Sequence, residues 1–301
     1  MSDNYGKHPS QKLQEIFSQR PFQLQEPEKA KIIILGLDAN WDKDLENDKE
    51  LFQEILDSLK DGVGYWKKNG FHSPMLSKAY KSKEGKRYHQ NFMLLGFTPN
   101  DAQDICLLDL LNICTYGKTN DDEEAFVNFL KSEDNKTHRQ RISELTKDKT
   151  KQFYLCGKGV VKYINDLQLF DISAPNIFLG EHFSRRFFNI QDYLISLKEP
   201  IRAFLDTGKY IPKDYNKEFY NQSQKDVKVI HEKPVEPSET ITVKRNPCCE
   251  EGYYQFNSVD NNQTFLAKII GNKRKAPDMY VQIQLKIYQK TDNKITSWSW
   301  E

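Results

Sequence analysis

The apolar positions of this chain fall into short blocks that switch between two periods. Leu13, Ile16 and Phe17 recur at helical spacing within Gln11 to Arg20, which predicts a short helix. Lys31 to Leu35 then carries four consecutive aliphatic residues, the pattern of a strand covered on both faces, and Gly36 ends it. Leu51, Ile55, Leu56 and Leu59 form the next helical stripe, which Asp61 and Gly62 break. Ile105 to Leu111, ending at Asn112, is a second buried strand. Gln152 to Cys156 is a third, and Asn176 to Leu179 a fourth. Between them Glu123 to Leu130, Lys136 to Leu145 and Gly157 to Leu167 are helical in pattern. Strands alternating with helices predict an α/β fold, a three-layer α/β/α arrangement on a mostly parallel central sheet.

Two stretches depart from that rhythm. Gly64 to Asn91, GYWKKNGFHSPMLSKAYKSKEGKRYHQN, is aromatic and basic and is interrupted by Gly70, Pro74 and Gly85. It reads as a long functional loop with short helices. Tyr210 to Pro237 is polar, lysine-rich and punctuated by proline, as a linker would be. Beyond it, Thr240 to Lys244, Tyr253 to Phe256, Phe265 to Ile270 and Met279 to Tyr288 favour strands. The expected division is an α/β domain over residues 1–209, a linker or extended arm over 210–239, and a small β-rich module or sheet extension over 240–301.

Composition narrows the chemistry. The 301 residues include 44 Lys and Arg against 43 Asp and Glu, so nucleic-acid binding must come from a local basic surface and not from net charge. Lys67, Lys68, Lys81, Lys83, Lys86 and Arg87, interleaved with Tyr65, Trp66, Phe71, Tyr80 and Tyr88, supply such a surface. Cys106, Cys114, Cys156, Cys248 and Cys249 are odd in number and lack zinc-ligand spacing, so reduced thiols are expected, with no metal and no cofactor. The polar amino-terminal stretch and the lack of a long apolar run predict a soluble protein without a membrane partner, cytoplasmic or nucleoid-associated, or nuclear in a eukaryote.

Four predicted strand ends carry the candidate chemistry: Asp38 with Asn40, Asn112, Gly157, and His182 with Ser184. In a parallel sheet such positions meet on one rim, where a carboxylate, an amide and an imidazole can position a water and stabilise developing negative charge. The order of these elements resembles the uracil-DNA glycosylase superfamily, as a divergent branch. The resemblance rests on Gly36-Leu37-Asp38-Ala39 after an aliphatic strand, YLCGKGVVKYI at Tyr154 to Ile164, and His182-Phe183-Ser184 after the last strand. DLLNICTYG at Asp109 to Gly117 resembles the segment that reads the base in some branches. NFMLLGFTPNDAQDICLLDLLN, beginning at Asn91, is similar to the mismatch-specific uracil/thymine branch. The likeness covers Lys31 to Leu194, about half of the chain.

The resemblance implies hydrolysis of the N-glycosidic bond of a modified, damaged or mismatched base in DNA. Asp38 would then stabilise the sugar cation and align the water, and His182 would donate to the departing base. Asn112 would read the base edge, with Asn40 beside it, and Phe71 would stack on the base, with Tyr65 and Trp66 as rivals. Ser184, Arg185, Arg186, Lys67 and Lys68 would hold phosphates. Ala39 and Phe183 stand where the family has proline, and Asn40 and Trp41 where one branch has tyrosine and histidine. The alternatives are a catalytically inactive nucleic-acid-binding module, or a protein-interaction module that binds a partner or itself through the C-terminal β region.

Overall fold

The computed structural model describes residues 5–78, 80, 85–185, 190–216, 246–247, 253–257, 264–274, 281–291 and 294–299. Strand β1 (Tyr5–Lys7), helix α1 (Gln11–Gln19) and strand β2 (Phe22–Leu24) lead into β3 (Ile32–Gly36), the aliphatic run of the sequence. β4 (Ala39–Asn40), α2 (Lys49–Lys60), α3 (Gly62–Asn69), α4 (Lys86–Met93), β5 (Ile105–Asp109) and β6 (Cys114–Gly117) follow. Then come α5 (Glu123–Lys131), α6 (Lys136–Lys147), β7 (Gln152–Cys156), α7 (Lys158–Asp166), β8 (Ile177–Gly180), α8 (Ile190–Ser196) and α9 (Lys198–Thr207).

The main sheet has the order β2-β5-β3-β7-β8. β3 pairs in parallel with both β5 and β7, and β7 in parallel with β8, whereas β2 runs antiparallel along the β5 edge. Because side chains alternate across a strand, each strand feeds two cores. Ile33, Leu35, Cys106, Leu108, Phe153 and Leu155 pack with Phe126, Leu130, Ile142, Leu145, Val160 and Ile164 of α5, α6 and α7. On the other face Tyr154 meets Phe178 and Phe183, Phe183 meets Phe92 of α4, and Phe92 meets Trp66 of α3. The result is the expected α/β arrangement with helices on both faces.

A second, three-stranded sheet of order β1-β6-β4 was not visible as a pattern in the sequence. Its strands are two to four residues long, too short to show a period. α1 and α2 cover it, with Leu13, Phe17, Ile55 and Leu59 packed against Ala39, Trp41 and Cys114.

The stretch read as a long loop is more helical than its glycines suggested. Gly62 and Gly64 lie inside α3 because backbone and cap approach them closely: a Cβ at Gly62 would come within 2.7 Å of the Leu24 backbone nitrogen. At Gly64 it would meet the Asp61 carboxylate, which caps the helix by accepting from the Gly64 N–H at 2.9 Å. The helix ends at Gly70, whose φ of 78° suits the left-handed cap.

The chain divides into two units, Met1–Lys217 and Glu218–Glu301. The expected arm does not begin at Tyr210. Tyr210 donates to the Lys149 carbonyl, the Ile211 N–H to Gln152 Oε1 at 2.9 Å, and Asn216 Nδ2 to the Leu179 carbonyl at 2.5 Å, so this segment is docked on the first unit through residue 216. Residues 217–245, including the strand expected over Thr240 to Lys244, lie outside the described residues.

The second unit contains β9 (Asn246–Pro247), β10 (Tyr253–Asn257), β11 (Thr264–Arg274), β12 (Val281–Thr291) and β13 (Lys294–Ser299). They form an antiparallel meander of order β13-β12-β11-β10-β9, with a register shift between Ile269 and Gly271. Among the described residues no helix is long and apolar enough to cross a membrane.

Candidate active site

The carboxyl ends of β5, β3, β7 and β8 place a row of residues on the α3/α4 face of the sheet. Period-two alternation sends Asp109, Gly36, Cys156 and Gly180 to that face, opposite to Leu108, Leu35 and Leu155. Gly36 and Asp109 are register partners, and the missing side chain at Gly36 makes room for the carboxylate. A Cβ there would fall 2.3 Å from Asp109 Oδ1. Gly180 makes the same allowance for the Tyr154 ring.

Asp38 stands two residues beyond Gly36, at the junction with the small sheet. Its Oδ2 accepts from Tyr5 Oη at 2.9 Å and Thr115 Oγ1 at 2.5 Å, and its Oδ1 from Thr119 Oγ1 at 3.3 Å. Burial raises its pKa, and the hydroxyl donors oppose that rise. The carboxylate is thus held firmly by three hydroxyls, which supply the rigidity that proline in place of Ala39 would have given.

His182 follows β8. The Ser184 N–H donates to His182 Nδ1 at 3.2 Å, and the Ser184 hydroxyl lies 2.8 Å from the same nitrogen. A ring nitrogen that accepts from a backbone N–H carries no proton, so the neutral ring bears its hydrogen on Nε2. Burial lowers the pKa and favours that neutral form. Gly157, with φ of 98°, gives His182 its seat: a Cβ there would lie 2.8 Å from the histidine Cβ. Tyr88 of α4 packs against His182 and Phe183 at ring distances of 5.7 and 5.1 Å and hydrogen-bonds Cys156. Buried Asn91 fixes the same turn by donating to the Phe183 carbonyl at 2.5 Å.

Other residues expected at the site have different employment. Asn112 donates through Nδ2 to the Asp134 carbonyl at 3.0 Å, and its own N–H to Asn135 Oδ1 at 3.0 Å. It ties the segment after β5 to the start of α6, and its Nδ2 is engaged there. Asn40 donates to Thr115 Oγ1 at 3.3 Å and to the Gly117 carbonyl and also hydrogen-bonds Asp38, so it braces the small sheet beside that carboxylate.

Phe71 packs edge-on against Tyr65 at 6.0 Å, while Tyr65, Trp66 and Tyr80 are buried. Lys67 and Lys68 are exposed on α3, and Lys67 reaches Gln103 at 3.4 Å, ahead of β5. That is the amino end of the strand, about 13 Å along the sheet from the rim by the usual rise. Ser184 serves His182, and Arg185 pairs with Glu181. Arg186 lies outside the described residues.

Asp109 is the site residue that sequence reasoning missed. Continuing the apolar strand to Leu111 moved its predicted end to Asn112, whereas the strand stops at Asp109. The available signal was a lone carboxylate interrupting an aliphatic run, in the same place relative to its strand as Gly36. Burial first, and then the charge of Asp38, raise the Asp109 pKa to about 7. His138 of α6 donates to the Asp109 carbonyl at 2.8 Å and fixes the backbone there.

Among the described residues no group of three His, Cys, Asp or Glu side chains is placed to hold a metal ion. No protein-family model, curated protein or solved structure matches the chain.

Proposed function

We propose that the chain is a DNA glycosylase that hydrolyses the N-glycosidic bond of a modified, damaged or mismatched base, using Asp38 and His182. The observation that carries this reading is the tautomer of His182. A neutral imidazole whose Nδ1 is occupied offers Nε2–H as a donor to a base that gains negative charge as it leaves. Asp38, on the same rim, supplies fixed negative charge for the cationic sugar, and its three hydroxyl donors hold it in one orientation before substrate arrives. The target nucleotide must be turned out of the duplex to reach such a rim. Lys86 and Arg87, which precede Tyr88 on α4, are candidates among the described residues to bind its phosphates.

Mass spectrometry of free bases released from DNA carrying deaminated, oxidised, alkylated and hypermodified bases tests the proposal. Wild type is expected to release at least one of them, and His182→Ala and Asp38→Asn to reduce release by about 10²-fold or more. Release unchanged in both variants would sink the assignment of these residues.

A second reading is a recognition module that binds an extruded base without cleaving it. The hydroxyl cage of Asp38 favours it, because two of its bonds, from Tyr5 and Thr115, fasten β1 and β6 to the end of β3. In that case Asp38→Asn lowers the melting temperature, and no base is released by either protein.

A further inference from the structure

We propose that Asp109 is a further catalytic residue of this site, the carboxylate that takes the proton of the attacking water, with Asp38 left to stabilise the sugar cation. The inference rests on the glycosidic reading and assigns its missing proton acceptor. Three structural observations lead to it.

First, the strand ends of β3 and β5 put the two carboxylates on one rim. The register pair Gly36–Asp109 and the bare Cα of Gly36 seat Asp109 there, and Asp38 is close enough for its charge to act on Asp109. Second, their surroundings are opposite. Asp38 accepts from three hydroxyls and has little capacity left for a water. Asp109 has no hydrogen-bond partner among the described residues, although its side chain is only partly accessible and lies beside Tyr88 and Cys156. A desolvated carboxylate without a partner is unfavourable for folding, so its place on the rim calls for a ligand that supplies the hydrogen bond. Third, its backbone is anchored: His138 and Asn135 hold the carbonyls of Asp109 and Leu110. The backbone that carries the carboxylate is thus held in place, while its oxygens make no hydrogen bond among the described residues.

Two carboxylates whose environments separate their protonation behaviour divide acid–base and electrostatic roles in this way. In the step itself the water oxygen forms the new bond to C1′ of the sugar, and the C1′–N bond breaks with its electron pair leaving on the base. The water's proton passes to Asp109, His182 Nε2–H holds the departing base, and the base gains one proton from solvent. The products are the free base and an abasic sugar.

The test is the pH dependence of base release, measured for wild type, Asp109→Asn and Asp109→Glu on the substrate that wild type cleaves best. Ionised Asp109 is the active form, so wild-type kcat/KM should fall about tenfold per pH unit below about 7. Asp109→Asn should lose 10²-fold or more at pH 8 and lose that dependence, and Asp109→Glu should recover part of the activity with a displaced limb.

Melting temperature separates this role from a structural one. A carboxyl whose folded pKa is raised opposes folding once pH exceeds its unfolded value, so Asp109→Asn should melt at pH 8 no lower than wild type. An Asp109→Asn protein that keeps both rate and pH limb overturns the proposal and leaves the glycosidic reading standing. A variant that is inactive because it melts well below wild type at pH 8 overturns it as well. A wild type that releases no base from any modified DNA overturns both.

Discussion

α3 and α4 have nearly the same chemistry and opposite positions. Each carries aromatic rings and adjacent cations: Tyr65, Trp66, Lys67 and Lys68 on α3, and Lys86, Arg87, Tyr88 and Phe92 on α4. α3 leans on β2 and on the segment that precedes β5, at the amino end of the sheet. α4 reaches the carboxyl end, where Tyr88 packs on His182 and hydrogen-bonds Cys156. Under the proposed function, only the aromatic and basic stretch that the fold carries to the rim where strands end can serve the site. Composition describes both helices equally, and topology separates them.

The largest expected difference is in stability. Trp66 is fully buried against His72 and Phe92, so Trp66→Ala should cost about 3–5 kcal/mol in chemical denaturation. Its indole N–H has no partner among the described residues, and Trp66→Phe should cost far less, because it removes that donor along with some packing. A Trp66→Phe protein as unstable as Trp66→Ala would show that the N–H is satisfied and that the close packing of α3 has been misjudged.

Acid should next loosen the packing of α4 against the segment that follows α3. His72 Nε2 and His89 Nδ1 are 2.8 Å apart and buried, and burial holds His89 at about 4 and His72 well below its ordinary range. Both are neutral in the fold. Their pKa values are depressed, so as pH falls from about 6.5 towards 4 the unfolded chain gains protons that the folded chain does not. Stability present above that window is lost within it, by up to about 1.4 kcal/mol per pH unit for each histidine. The advantage of wild type over His89→Gln in melting temperature should narrow across this range. A constant difference would mean that the pair is already protonated or exposed.

How much of this was legible follows from length of pattern. β3, β7 and α2 announced themselves because each sustains one apolar pattern over five to twelve residues. The rim could be inferred from those strands, and Asp38 and His182 with it. The small sheet was not legible, because strands of two to four residues carry no period, and the hydroxyl donors on Asp38 come from Tyr5 and from Thr115 and Thr119, far apart in the chain. Asp109 was lost to a boundary: Leu110 and Leu111 continue the apolar run after the strand has ended, and the next polar residue, Asn112, took the place that Asp109 holds. Pairing of Asn112 with Asp134 and Asn135 depends on where α6 packs, which no local pattern records.

A smaller effect should come from Tyr88→Phe. The substitution keeps the ring on His182 and removes the hydroxyl that Cys156 receives. A neutral hydrogen bond is worth about 0.5–1.5 kcal/mol, so base release should drop by roughly two- to tenfold while Trp66→Phe leaves it unchanged. Equal losses in the two proteins would erase the distinction between a helix that serves the site and one that serves the core.

The smallest and most discriminating comparison is the salt dependence of DNA binding. Each phosphate neutralised by a Lys or Arg adds about 0.9 to the slope of log affinity against log salt, independently of how much stability the residue provides. Replacing Lys86 and Arg87 together by alanine should therefore flatten the slope by about 1 to 2, since both precede Tyr88 in the first turn of α4. Replacing Lys67 and Lys68 should leave it unchanged, because the strand length separates them from the proposed site. The pairs have the same summed charge, so nonspecific attraction to the whole protein changes equally in both variants and drops out of the comparison. A larger flattening from the α3 pair would place the DNA path at the amino end of the sheet, away from Asp38, Asp109 and His182, and would detach nucleic-acid binding from this rim altogether.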